Sequence, residues 1–106
     1  QVTPLPDEAY SDNWIARNGL ELLGQAPSGV PWFLQVNFTG PHDPWDVTAT
    51  LRDTVSDRQL PSPVHSPFAE KPEALEIRRN YAAMMENIDR WLGVYMDHLE
   101  ERGELE

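Results

Sequence analysis

The sequence predicts an α/β fragment: two helices flanking one core β-strand of a larger mixed sheet, with a long proline-rich loop between the strand and the C-terminal helix. Three observations predict it. Residues 32–38, Trp-Phe-Leu-Gln-Val-Asn-Phe, are short, aromatic and β-branched, with apolar residues on both faces. Residues 73–102 repeat apolar side chains at three- and four-residue steps, the spacing of an amphipathic helix. All ten prolines lie between Pro4 and Pro72, so a proline-punctuated part precedes a proline-free one.

In chain order, Pro4 and Pro6 keep residues 1–9 extended. Ser11 or Asp12 is the expected N-cap of a helix through Leu23, with Trp14, Ile15, Leu22 and Leu23 on one face. Gly24 and Pro27 stop it, and Gly19 weakens it by about 1 kcal/mol relative to Ala. Pro31 and Gly40-Pro41 bound the strand. Residues 39–72 hold eight prolines or histidines among turn formers and read as a structureless connection. That is well beyond the ~12–15 residues compact domains tolerate, and such loops tend to be functional or disordered. The final helix carries Ile77, Tyr81, Met84, Met85, Ile88, Trp91, Leu92, Tyr95, Met96 and Leu99. Glu73 and Glu76 suit its positive end, and Gly103 its stop.

A buried strand needs neighbours on both sides, and no second one is evident. Either the chain pairs with a copy of itself or its sheet partners lie in a parent protein. The chain starts at Gln1 without a methionine and ends on Leu105-Glu106, a pair that cloning junctions also leave. Residues 1–106 are therefore expected to be a single partial domain, an internal segment of something larger. Its helix and unpaired strand are expected to drive self-association.

Composition narrows the function. Eight basic against eighteen acidic residues give a net charge of −10, which argues against nucleic acid and anionic membrane as partners. No apolar run approaches the ~18 residues of a membrane span. With no cysteine, disulfides, thiolate metal sites and a cysteine nucleophile are excluded from this chain.

The segment that carries chemistry is Thr39-Gly40-Pro41-His42-Asp43-Pro44-Trp45, directly after the predicted strand. Ligands in open α/β sheets bind beyond such strand ends. Prolines on both sides of His42 and Asp43 hold the imidazole on a rigid turn. A histidine held this way can donate to an anion or protonate a departing oxygen. On composition alone, a solvent-exposed loop histidine fits the residues too.

These residues resemble a known family. Residues 33–45, Phe-Leu-Gln-Val-Asn-Phe-Thr-Gly-Pro-His-Asp-Pro-Trp, are similar to the Pro-His-x-Pro region of type I sulfatases, members of the alkaline-phosphatase superfamily. Arg79-Asn80-Tyr81-Ala82-Ala83-Met84-Met85-Glu86-Asn87-Ile88-Asp89, Leu92-Gly93 and the closing Leu99-Glu100-Glu101-Arg102-Gly103 resemble the family's long helix. Trp14 to Leu23 resembles the helix before the strand. The similarity covers roughly residues 10–45 and 76–104 and leaves the middle loop unmatched.

The resemblance implies a sulfuric ester hydrolase in which His42 contacts the sulfate group or the oxygen leaving from it. It also implies a calcium ion and a formylglycine nucleophile for the parent protein, neither of them supplied by this segment. The nucleophile arises in a Cys/Ser-x-Pro-x-Arg motif, and none of Ser11, Ser28, Ser56, Ser62 or Ser66 opens one. The calcium motifs, an early Asp-Asp pair and a later Asp-His/Asn-Gly, are absent too. The chain is thus expected to contribute one catalytic residue, His42, with Asp43 and Trp45 beside it on the substrate, and to be inactive alone. Phosphodiester or phosphonate hydrolysis in the same superfamily is the alternative. A helical dimerising module, using the stripe Tyr81, Met85, Ile88, Leu92, Tyr95 and Leu99, is another.

The remaining candidates are weaker. Asp43 and Asp46 fall short of the six to eight oxygens calcium takes. Trp45 either stacks on the leaving group or anchors the loop to the core. His65 lies in a loop that can line a substrate cleft, and His98 on the polar side of the long helix. Asn37-Phe38-Thr39 matches a glycosylation sequon that a buried strand end would hide. The methionines read as core packing.

Overall fold

The computed structural model describes residues 1–61, 64, 67, 69 and 71–105. Three α-helices dominate: α1 (Ser11–Gly24), α2 (Ala49–Asp53) and α3 (Pro72–Glu101). A single 3₁₀ turn, Asp7–Ala9, precedes α1.

The predicted α/β class is wrong for this chain. Among the described residues no strand or sheet forms, and the one β-bridge is an isolated parallel contact of Val2 with Val47. Residues 31–39 are extended but have no ladder partner. Trp32, Leu34, Val36 and Phe38 are half-buried, while Phe33, Gln35 and Asn37 are exposed. The period-2 alternation is that of an extended segment covered on one face only, not of a strand buried on both. Side chains of α1 and α3, not a sheet, cover that face: Leu23, Leu92, Tyr95 and Leu99 surround a hollow of about 220 Å³ with the four inward residues.

The helix α3 lies within a residue of its predicted span at each end. Pro72 opens it, where its missing N–H costs nothing. Gly103 closes it at φ 68°, with Gly103 N–H donating to the Glu100 carbonyl and Glu104 N–H to the Leu99 carbonyl, both at 2.9 Å. This pair of bonds is the Schellman arrangement, which needs a left-handed residue at that point. The buried residues of α3 are Asn80, Ala83, Met84 and Asn87. Tyr81, Met85, Leu92 and Met96 from the expected stripe are exposed.

The α1 helix follows its predicted span but not its predicted face. Its N-cap is Tyr10, without a side-chain cap, so neither Ser11 nor Asp12 plays that role. The buried residues are Asp12, Asn13, Ala16, Gly19 and Leu23, whereas Trp14 and Leu22 are exposed. Two polar residues, two small ones and Leu23 thus form the packed side. They let α3 approach closely: Trp91 Nε1 donates to Asn13 Oδ1 at 2.7 Å, and the Tyr95 hydroxyl to the Ala16 carbonyl at 2.7 Å.

The stretch expected to be structureless contains α2. Thr48 caps it, its Oγ1 accepting from Leu51 N–H at 3.3 Å. Five residues are too few for a periodic signal. Val47, Leu51 and Val55 from this stretch pack with Tyr10, Ala83 and Met84 to make the hydrophobic core.

Candidate functional site

The His42 loop is held at both ends by buried side chains from different helices. At its start, Asp12 on α1 is fully buried. Its Oδ1 accepts from Thr39 N–H at 2.7 Å, from the Thr39 hydroxyl at 2.7 Å and from Gly40 N–H at 3.2 Å. Its Oδ2 stands 3.1 Å from the same Gly40 nitrogen. A buried carboxylate is costly unless hydrogen-bonded, and these donors are what permits it. Gly40 makes the approach possible, since a Cβ there would lie 2.5 Å from Asp12 Oδ2. At the far end, Asn80 on α3 donates to the Trp45 carbonyl at 2.6 Å. Thr3 N–H then donates to the Val47 carbonyl at 2.9 Å.

Between these anchors His42 N–H donates to the Thr39 carbonyl at 3.3 Å, closing a turn. The imidazole is 81 % exposed. Its Nδ1 lies 2.8 Å from both the Asp43 carbonyl and the Asp43 carboxylate. Both are acceptors, so Nδ1 carries the proton and Nε2 is the nitrogen left for a ligand.

His42 and Asp43 share a hollow of about 520 Å³ with Tyr10, Ser11, Thr39, Pro44, Asp46 and Met84. The Ser11 and Thr39 hydroxyls stand 2.9 Å apart on its wall. Tyr10 donates its hydroxyl to the Asp46 carbonyl at 3.3 Å. Burial, reinforced by the Asp12 and Asp46 carboxylates, pushes that hydroxyl well above its ordinary pKa, so it stays a donor at neutral pH.

The structure brings together two of the three predicted substrate residues. Trp45 lines a different hollow, of about 350 Å³, with Leu60, Ile77, Arg78, Tyr81 and Ala82. His98 sits 3.9 Å from Glu101 on the exposed side of α3. His65 lies outside the described residues. The Asn37 side chain is exposed, so burial does not hide that sequon. Sequence reasoning missed Asp12, taken only as a capping candidate, and Asn80, quoted only within the helix motif. For Asn80 the available signal was a polar residue between Ile77 and Met84 on the helix's apolar stripe, whereas Asp12, an acid in a first helical turn, carried none.

The loop offers one imidazole, through Nε2, to a hollow that the Asp43 and Asp46 carboxylates also line, and such a ring can donate or accept a proton there. The Sulfatase family profile matches residues 2–106, and the chain belongs to the sulfatase family. It is also 27 % identical over 67 residues to an arylsulfatase of Clostridium perfringens, a match that takes in 63 % of this chain and 14 % of that enzyme.

The sulfatase family implies calcium and a formylglycine for a complete enzyme. The side chains here do not fit either. Among the described residues, no three His, Asp or Glu side chains stand together to hold a metal. The sequence has no cysteine and no Ser-x-Pro-x-Arg from which a formylglycine could form.

Proposed function

We propose that this chain is a segment of the catalytic domain of a sulfuric ester hydrolase, and that it supplies His42 to the sulfate group or its leaving oxygen. The observation that carries the reading is the His42–Asp43 pair on the doubly anchored loop. With Nδ1–H engaged by Asp43, the protonated ring donates through Nε2 to a sulfate oxygen or passes that proton to the leaving group. Asp43 orients the ring during the step. Trp45 supports the same loop from the hollow on its other side, the anchoring role that its position favours.

The test is made in the complete protein that carries this chain. His42→Ala should lower kcat/KM for an aryl sulfate by about 10²–10⁴-fold, the usual worth of a positioned proton donor. The melting temperature should not change, because the ring is exposed. Unchanged kcat/KM would refute the assignment. The 106-residue chain alone, lacking a nucleophile motif, should show no turnover, and any hydrolysis above buffer would refute that part.

A further inference from the structure

We infer that Asp12 is a positioning residue for His42, acting through the Thr39-Gly40 turn; the inference rests on the reading that His42 meets the substrate. The connection is continuous. Asp12 Oδ1 takes both the N–H and the hydroxyl of Thr39 at 2.7 Å, and the carboxylate takes Gly40 N–H as well. The carbonyl of the same Thr39 receives His42 N–H at 3.3 Å. One carboxylate therefore fixes the residue from which the His42 turn is hung.

The turn has few other means of staying in place. His42, Asp43 and Pro44 are all exposed, so packing restrains them little, and Trp45 steadies only the outgoing end. Asp12, by contrast, is fully buried at the start of α1, a rigid element. It accepts from two consecutive backbone N–H groups and a hydroxyl, which sets the direction of the chain as well as its position. An amide at this site can keep its oxygen on the two Thr39 donors, but it turns its N–H₂ toward the Gly40 N–H that Oδ2 now meets. Asp12→Asn therefore keeps the shape but loses the charge behind the Thr39 bonds and sets a donor against Gly40 N–H. A misplacement of about 1 Å in a reacting group is enough to cost on the order of a hundredfold in rate.

The experiment is a double-mutant cycle in the complete protein, measuring kcat/KM for an aryl sulfate. The variants are Asp12→Asn, His42→Ala and the pair. Asp12→Asn should lower kcat/KM roughly tenfold to a hundredfold, as loss of a supporting hydrogen-bond partner does. In the His42→Ala background the same change should cost less than about twofold, because the ring it places is gone. A merely structural role would reduce activity by the same factor in both backgrounds, and that result would overturn the inference.

Should Asp12→Asn not fold, Thr39→Val removes the hydroxyl bonds to Asp12 and Ser11 and leaves both backbone N–H bonds to Asp12. It should cost about threefold to tenfold with the same dependence on His42. No loss, or an equal loss in both backgrounds, would again overturn the inference. Full activity in His42→Ala alone would instead remove the reading on which the inference stands, so the two failures are told apart.

Discussion

Asn80, fully buried on α3, donates from Nδ2 to the Trp45 carbonyl at 2.6 Å and so fixes the outgoing end of the His42 loop. The same amide donates to the Gln1 carbonyl at 3.0 Å and accepts from Arg52 at 2.6 Å. Arg52 in turn pairs with Glu76 at 2.6 Å. One side chain thus joins the N-terminal segment, the loop, α2 and α3.

Asn80→Leu should destabilise the chain by about 2–3 kcal/mol, since the Trp45 carbonyl loses its donor, the Gln1 carbonyl keeps only Val47 N–H and Arg52 loses an acceptor. Urea unfolding checks it, with the midpoint falling and the slope unchanged. Asn80→Asp should be no better. It keeps an acceptor for Arg52 but turns oxygens toward both carbonyls. An aspartate variant as stable as wild type would show that Arg52, not the carbonyls, is what Asn80 serves.

Gly19→Ala should destabilise by about 1–3 kcal/mol, although alanine favours helix by about 1 kcal/mol. A methyl there would overlap the Tyr95 hydroxyl and meet Val36 Cγ2 at 3.0 Å. Tyr95 cannot yield freely, because its hydroxyl donates to the Ala16 carbonyl. Adding Tyr95→Phe should recover part of the loss by removing the overlapping atom. A thermal scan in which Gly19→Ala melts higher than wild type would refute the close approach.

The contrast between Gly19 and Gly103 shows what the sequence could reveal. Gly103 ends a long periodic helix, and the local geometry of a helix terminus is written in neighbouring residues, so its role was legible. Gly19 answers to a side chain 76 positions away, and nothing near it marks that. Residues 32–38 failed for a related reason. Their composition says apolar and extended, but whether a sheet or two helices covers them depends on residues distant in the chain. The turn that carries His42 and Asp43 was legible because prolines stand on either side of the pair. Asp12 was not, because its three donors are contributed from 27 and 28 residues away. The five residues of α2 carry too little periodicity to be seen.

Self-association is expected from the apolar side chains that α1, α3 and the extended segment leave uncovered. Phe33 is 87 % exposed, with Trp14, Leu22 and Leu92 more than half exposed. Scattered apolar residues are ordinary, but four large ones on a chain this small favour contact with a second copy. Light scattering should give a mass above 12.1 kDa at working concentration. Phe33→Ser, which removes the most exposed of these rings, should shift it toward the monomer. A monomeric wild-type chain would contradict the expectation.

Alkaline pH should unfold the chain through Tyr10. Burial, then the Asp12 and Asp46 carboxylates, raises the folded pKa above the ordinary value of 10.0. Below about pH 10 the hydroxyl is protonated in both states, and its contribution to stability is complete. Above that value the unfolded chain releases the proton while the folded chain retains it, so each further rise in pH favours unfolding. Burial raises Tyr95 in the same direction. Urea midpoints measured from about pH 8 to 11.5 should therefore be lower above pH 10 than below it. Tyr10→Phe removes the titrating group and should show a shallower fall, though it starts lower by about 1 kcal/mol for the lost bond to Asp46. Parallel pH profiles for the two proteins would mean that Tyr10 ionises as readily folded as unfolded. That would count against the closed packing of Tyr10 beside the His42 hollow.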